Sequence, residues 1–321
     1  MPRSFIIDTD TASDDAVALI MALRWKDVDV KAITVVAGNV GLEQATRNAL
    51  YTAEMCECDV PVYAGAPRPL LRDHIHAHWF HGRDGLGDMN YPAPKRQPEA
   101  EHAVEALIRI IGENPGIELV TLGPLTNVAL AVAQAPDIIA NVSRCVVMGG
   151  AANAVGNVTP AAEYNIWVDP EAARMVFHSG LPIEMVGWEL CRLDACIMPN
   201  EMAAIRGFNT PLSEFALDCN RRALEACQEQ SNEAGLGLAD PVAMAVALDP
   251  TICTRKSLHF VDVETQSDLT RGMTVVDQFN LVTDERNRDA WGSLIGREPN
   301  VLVCWEIDIP RWKEALYSVL R

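Results

Sequence analysis

Four carboxylates crowd the start of this 321-residue chain, with Asp8, Asp10, Asp14 and Asp15 falling within eight positions. They sit where the apolar run Phe5-Ile6-Ile7 ends and a helical pattern, Ala16-Val17-Ala18-Leu19-Ile20, begins. Mutual repulsion makes such a cluster costly unless a cation or hydrogen-bond donors offset it. No Lys or Arg lies between Arg3 and Arg24 to do so. A bound hard cation is the simplest remedy, and an all-oxygen ligand set points to Ca²⁺ or Mg²⁺ rather than zinc. An EF-hand does not fit. Ala12 and Ser13 stand where its obligatory Gly should be, and no Glu closes the loop.

The strand-to-helix junction repeats along the chain. Phe5 to Asp8, Val28 to Ala37, Ile117 to Leu122, Arg144 to Met148 and Leu181 to Val186 read as strands. Helical patterns cover Asp14 to Trp25, Gly41 to Glu57, Leu125 to Gln134 and Asp169 to His178, the last stopped by Gly180. This alternation predicts an α/β fold: one domain over residues 1–321, with a mostly parallel, open, Rossmann-like sheet covered by helices on both faces. Ligands of such sheets bind beyond the carboxyl ends of the strands. Asp8/Asp10, Gly38-Asn39, Gly123-Pro124 and Gly149-Gly150 all follow strands and are expected to meet there. Two long irregular stretches, Ala64 to Pro98 and Gly149 to Val168, have the length of functional loops.

Composition excludes several classes. Net charge is −18, with no basic block, which argues against a nucleic-acid partner. No run of about eighteen apolar residues predicts a membrane span, and the first residues lack a signal-peptide core. The nine cysteines are scattered, an odd number, and read as buried free thiols in a reducing cytoplasm.

Individual side chains leave choices open on spacing alone. Asp14 could cap the first helix, and Asn157 and Asn165 could be ordinary loop caps. Four of the seven histidines fall in Asp73-His74-Ile75-His76-Ala77-His78-Trp79-Phe80-His81. No Cys cluster supports zinc there, and an exposed loop accounts for most of them. Trp79 could stack a flat ligand ring or simply pack its loop. Trp167 and Trp188 read as core, and Arg222 and Gln230 precede a late Asp240 that opens another apolar helix.

Taken together, the motifs resemble the nucleoside hydrolase family. The matching residues are Asp8 to Ala16, Gly38-Asn39-Val40-Gly41, His81-Gly82 with Gly85-Leu86, and Leu122-Gly123-Pro124-Leu125-Thr126-Asn127. They continue through Met148-Gly149-Gly150, Gly156 to Asn165, Asp169-Pro170-Glu171-Ala172-Ala173 and Asp240-Pro241. The resemblance implies Ca²⁺-dependent hydrolysis of the N-glycosidic bond of ribonucleosides, giving ribose and a free base. It implies Asp10, Asp15, Asp240 and the Leu122 carbonyl as calcium ligands, and Asp10 also as the base that activates water. Asp14, Asn39, Asn157, Glu163 and Asn165 would bind ribose, His81 would face the nucleobase, on which Trp79 could stack, and the chain would form a homodimer or homotetramer.

Two departures stand out. Ala239 replaces a His that many relatives carry before the late Asp, which leaves the leaving-group acid open, with His81 as the candidate. Thr11-Ala12-Ser13 replaces a commoner Pro-Gly turn. Two other readings compete with the hydrolase: a calcium-dependent nucleoside-binding protein without turnover, kept open by Ala239, and a phosphatase using Asp8 and Asp10.

Overall fold

The computed structural model describes residues 2–231 and 234–321. Strands β1 (Arg3–Thr9), β2 (Val28–Val35), β3 (Val62–Ala64), β4 (Ile117–Thr121), β5 (Val142–Met148), β6 (Ile183–Val186) and β7 (Cys253–His259) belong to one sheet. Strands β8 (Val261–Val263) and β9 (Thr274–Val276) pair separately, and β10 (Val301–Ile307) returns to the main sheet. The spatial order is β3-β2-β1-β4-β5-β6-β10-β7. All pairings are parallel except β10 with β7 at one edge.

The parallel strands are buried on both faces, and their side chains alternate between two cores. On β1, Phe5 and Ile7 enter one core while Ile6 enters the other. On β5, Val146 and Met148 face the first core while Cys145 and Val147 face the second. Helices α1 (Ser13–Arg24) and α2 (Leu42–Met55) pack on the first face, and α3 (His78–His81) is a single turn in the following loop. Helices α4 (Ala103–Glu113) and α5 (Thr126–Gln134) cover the second face. After the short α6 (Tyr164–Val168), α7 (Pro170–Phe177) joins them. Helix α9 (Pro211–Asp218) packs on α1, α8 (Pro199–Arg206) on α9 and α10 (Arg221–Ser231) on α3, followed by α11 (Ala239–Leu248), the single-turn α12 (Arg288–Trp291) and α13 (Ile309–Leu320). The expected α/β architecture is present. The two long loops hold only the short helices α3 and α6.

The chain runs outward from β1 through β2 to β3, then returns to β4 on the other side of β1. That reversal opens a crevice at the carboxyl ends of β1 and β4. The opposite end of the sheet is closed by ion pairs. Arg3 on β1 bonds Glu118 on β4 at 3.0 Å, Arg144 on β5 bonds Glu184 on β6 at 2.8 Å, and Lys256 on β7 bonds Glu184 at 3.1 Å. Arg144 also donates to the Val246 and Ala247 carbonyls, and Arg3 to those of Ala247 and Leu248. Both guanidinium groups thus complement the negative end of the α11 dipole. They anchor the helix whose other end carries Asp240 into the crevice.

This network generates the fold's prediction. Arg144→Met leaves Glu184, which is almost wholly buried, with the partly exposed Lys256 and the weak thiol donor of Cys304. Removing one partner of a buried pair costs about 3–5 kcal/mol, whereas exposed pairs contribute about 0–1 kcal/mol. In urea titrations Arg144→Met is expected to lose about 3 kcal/mol or more, and Lys256→Met less than about 1 kcal/mol. Burial opposes ionisation of Glu184, but Arg144 and Lys256 outweigh it and hold the carboxyl below its usual 4.5. The stabilisation is therefore present above that pH and is lost as pH falls through the depressed folded value. Equal losses for both variants would overturn the assignment.

Candidate active site

Each carboxylate of the N-terminal cluster has a different neighbourhood. Asp8 turns away from the others. Its Oδ1 accepts from Thr34 Oγ1 at 2.5 Å and Asn127 Nδ2 at 2.9 Å, tying β1 to β2 and α5. Asp10 is fully buried between two glycines. A Cβ at Gly38 would lie 2.0 Å from Asp10 Oδ2, and one at Gly123 would lie 2.7 Å from Oδ1, so neither position tolerates a side chain. Oδ2 accepts from the Asn39 amide at 2.5 Å, while Oδ1 has no hydrogen-bond partner. Asp15, rather than Asp14, serves the end of α1. Its carboxylate accepts from Thr9 Oγ1 at 2.5 Å and reaches back to the Ala12 amide at 2.9 Å. Asp14 is left facing the pocket, with Oδ1 unpartnered.

Asp240 arrives from α11 at the same place, 225 residues after Asp15 in sequence. Carboxylate oxygens of Asp14, Asp15 and Asp240 lie within 4.8 Å of one another. Asp10 stands beside them, close enough to feel the charge of Asp15 and Asp14. Burial first, and the neighbouring carboxylates second, push Asp10 and Asp240 well above the usual range. Burial lifts Asp14 to about 6, although amides at the start of α11 hold it down in part. Two orphaned carboxylate oxygens, a buried cluster of like charges and an all-oxygen donor set fit a hard divalent cation. No Cys or His joins the group, so the donor set does not favour zinc.

The cluster borders a cavity of about 370 Å³, within the range of small-molecule sites. Asp14, Asn39, Leu122, Asn157, Glu163, Asn165, Trp79, His81 and Asp240 all line it, whereas Asp10 and Asp15 are buried beside it. Glu163 caps α6 by accepting from the Gly150 and Asn165 amides at 2.8 and 2.9 Å, and burial raises it to about 7. Asn157 Oδ1 accepts from the Tyr164 amide at 2.9 Å. Asn165 Nδ2 donates to the Leu122 carbonyl at 2.8 Å, joining the ends of β4 and α6. These asparagines therefore cap loops and also line the pocket.

His81 is buried, with Nδ1 2.8 Å from Ser13 Oγ and 3.8 Å from Asp14 Oδ1. Burial lowers its pKa to about 4, so the imidazole is neutral near pH 7. Trp79, 54% exposed, stands at the rim. His76 and His78 stack at 3.5 Å outside the pocket lining. Trp188 corrects the sequence reading. It is half-buried against the first core and also walls the pocket, with its indole N–H on the Val155 carbonyl and Arg192 stacked 4.5 Å over its ring. The buried run ends at Val186, and Gly187 turns the chain into a 3₁₀ segment that presents the ring. Gln230 lines the pocket and donates to the Asn157 carbonyl at 2.7 Å, whereas Arg222 is outside the lining and pairs with Glu225. Sequence reasoning missed Tyr164, Cys191, Arg192 and Cys227, all of which line the cavity. Only Tyr164 carried a signal, its place between Glu163 and Asn165.

Comparison with known proteins supports the same reading. The model of the family described as inosine-uridine preferring nucleoside hydrolase matches residues 5–314. A pyrimidine-specific ribonucleoside hydrolase RihA of Shewanella sp. (strain MR-4) is 40% identical over 294 residues, covering 89% of this chain and 90% of its own. The protein of the same name from Klebsiella pneumoniae (strain 342) is 38% identical over 323 residues, covering 100% and 97%. Among solved structures, a plant nucleoside hydrolase superposes with a TM-score of 0.93 at 31% identity, covering 100% of this chain and 99% of that one. A purine-preferring ribonucleoside hydrolase from Gardnerella vaginalis gives a TM-score of 0.87 at 30% identity, covering 99% and 98%. The chain therefore belongs to the inosine-uridine preferring nucleoside hydrolase family and is an N-ribosyl hydrolase of ribonucleosides.

Proposed function

We propose that this hydrolase is calcium-dependent and prefers pyrimidine ribonucleosides. The observation that carries the metal reading is the convergence of Asp14, Asp15 and Asp240 from the ends of α1 and α11, with Asp10 beside them. Asp10, Asp15, Asp240 and the Leu122 carbonyl would hold the ion, an oxygen set suited to Ca²⁺. When bound, Ca²⁺ supplies positive charge that polarises water and fixes vicinal hydroxyls. The base preference rests on the pyrimidine-specific names of the relatives above.

The chain's own residues do the rest. Asp14 and Asn165, with Asn39, Asn157 and Glu163 around them, orient the ribose through its hydroxyls. Asp10 takes the proton of the attacking water through Oδ1, the oxygen that no donor occupies. The C1′–N bond breaks with its electron pair leaving on the base, and the sugar passes through an oxocarbenium-like state. The surrounding carboxylates favour that positive charge. With the Ser13 hydroxyl donating to His81 Nδ1, 2.8 Å away, the neutral ring would offer Nε2–H to assist the base, while Trp79 covers it at the rim. The phosphatase reading fits less well, since Asp8 turns from the cluster toward Thr34 and Asn127, which hold its Oδ1. Among the described residues no helix is long and apolar enough to cross a membrane. A cytoplasmic homodimer or homotetramer completes the proposal, and light scattering separates these assemblies from a 35.1-kDa monomer.

Exhaustive chelation is expected to abolish turnover, and Ca²⁺ to restore it. Asp240→Asn should weaken Ca²⁺ binding in titration calorimetry by about 100-fold. Full activity after chelation would overturn the metal assignment. In a nucleoside panel, uridine and cytidine should exceed inosine and adenosine. Each ribonucleoside should exceed its 2′-deoxy analogue by about 1–3 kcal/mol in transition-state binding, because the deoxy sugar leaves buried polar groups unpaired. Equal rates on uridine and deoxyuridine would refute the sugar contacts. Finally, His81→Ala should slow natural nucleosides by about 10²-fold and a nitrophenyl riboside, whose leaving group needs no help, far less. Equal losses on both would reassign His81 to the sugar or the loop.

A further inference from the structure

The turn after β2 contains a peptide unit that is hydrogen-bonded at both ends. Its N–H, from Asn39, donates to Asp10 Oδ2 at 2.5 Å. Its carbonyl, from Gly38, accepts from the Tyr164 hydroxyl at 2.8 Å and lies 2.5 Å from His74 Nε2. A carbonyl oxygen only accepts, so His74 Nε2 carries its hydrogen toward it. Both donors come from distant segments, Tyr164 from α6 and His74 from the loop before α3.

The same contacts dock that loop. The Tyr164 hydroxyl also lies 2.7 Å from the Ile75 carbonyl, and the Ala77 amide donates to the Asn39 carbonyl at 2.8 Å. Tyr164 has one hydroxyl hydrogen for two carbonyls. His74 therefore matters: it keeps Gly38 O supplied when the phenol leans toward Ile75.

Position 38 must be glycine, because any Cβ would collide with Asp10. Glycine is also the residue least able to hold its own peptide in one orientation. Rotation of the 38–39 peptide would take the Asn39 N–H off Asp10 and leave Oδ2 without its backbone donor. Donors on Gly38 O oppose that rotation, and hydrogen bonds in series polarise one another.

We propose that Tyr164 and His74 are positioning residues for Asp10. They hold the Gly38–Asn39 peptide so that its N–H stays on Oδ2, leaving Oδ1 directed at the reaction. This role rests on the reading of Asp10 as the base.

Three variants test it: Tyr164→Phe, His74→Leu and His74→Gln, the last retaining an N–H near the position of Nε2. With uridine at saturating Ca²⁺, the first two should each lower kcat about tenfold, the worth of one hydrogen bond, with KM changed less than about twofold. His74→Gln should recover most of the loss. Hydrogen–deuterium exchange at the Asn39 amide should accelerate in the two loss variants and stay near wild type in His74→Gln. A raised KM with unchanged kcat, or unaltered exchange at Asn39, would overturn the proposal in favour of a simple loop latch. Asp10→Asn separates the two levels of argument. If Asp10→Asn keeps turnover, the reading of Asp10 fails, and this role fails with it. If Asp10→Asn is inactive while Tyr164→Phe and His74→Leu match wild type in rate and exchange, only the positioning role fails.

Discussion

Confinement of like charges is the constraint on which this structure turns. Asp10, Asp14, Asp15 and Asp240 are gathered at the carboxyl edge of the sheet, with Asp10 and Asp15 wholly buried. In water such proximity would cost little; in a protein interior it is expensive. The fold offsets part of that cost with backbone dipoles. The Asn39 amide serves Asp10, the Ala12 amide serves Asp15, and the start of α11 serves Asp14. Two helix N-termini, those of α1 and α11, bring their positive ends to the cluster. Backbone donors lower the charge problem without removing it, which is why the carboxyls remain displaced upward.

The two ends of the sheet are electrostatic opposites, and each depends on the other. At the amino edge every buried acid meets a cation, Glu118 with Arg3 and Glu184 with Arg144. Those arginines also cap the carboxyl end of α11. The helix is thus held at one end by paired charge and presents unpaired charge at the other. Paired charge is concentrated at the edge away from the cavity, and the unpaired carboxylates gather beside it. Gly38 and Gly123 belong to the same economy of space, since a side chain at either position would displace Asp10.

How much of this was legible in the sequence depends on which physical signal each part emits. Strands β1, β2, β4, β5 and β6 are buried on both faces and read as short apolar runs. The order β1-α1-β2-α2 follows directly. Beyond Val186 the signal fades. Strand β7 exposes five of its seven residues and carries Thr254-Arg255-Lys256, as an edge strand does, so no apolar run marks it. Trp188 follows a strand closely enough to read as core, yet the turn at Gly187 presents it to the pocket. Asp14 and Asp15 are adjacent, and spacing alone could not say which caps α1. The third helical position reaches back to the cap amide, so Asp15 does, and Asp14 is freed. Asp240 was placed only by motif resemblance, because no local pattern links α11 to residues 225 positions earlier. The contacts of Tyr164 were illegible for the same reason, although its place between Glu163 and Asn165 marked it, since its two carbonyl partners lie 126 and 89 residues away.

The acidity of the site and the proposed reaction are two aspects of one electrostatic fact. A cluster that repels itself when empty stabilises any positive charge placed in it. A hard divalent cation is one such charge. An oxocarbenium-like sugar is another, and it exists only at the transition state. Interactions stronger there than in the ground state are those that accelerate chemistry. A neutral His81 fits this balance, since a second fixed cation beside Asp14 would compete with the developing charge on the sugar. Under the proposed role of His81, burial of the imidazole preserves the field that the carboxylates create.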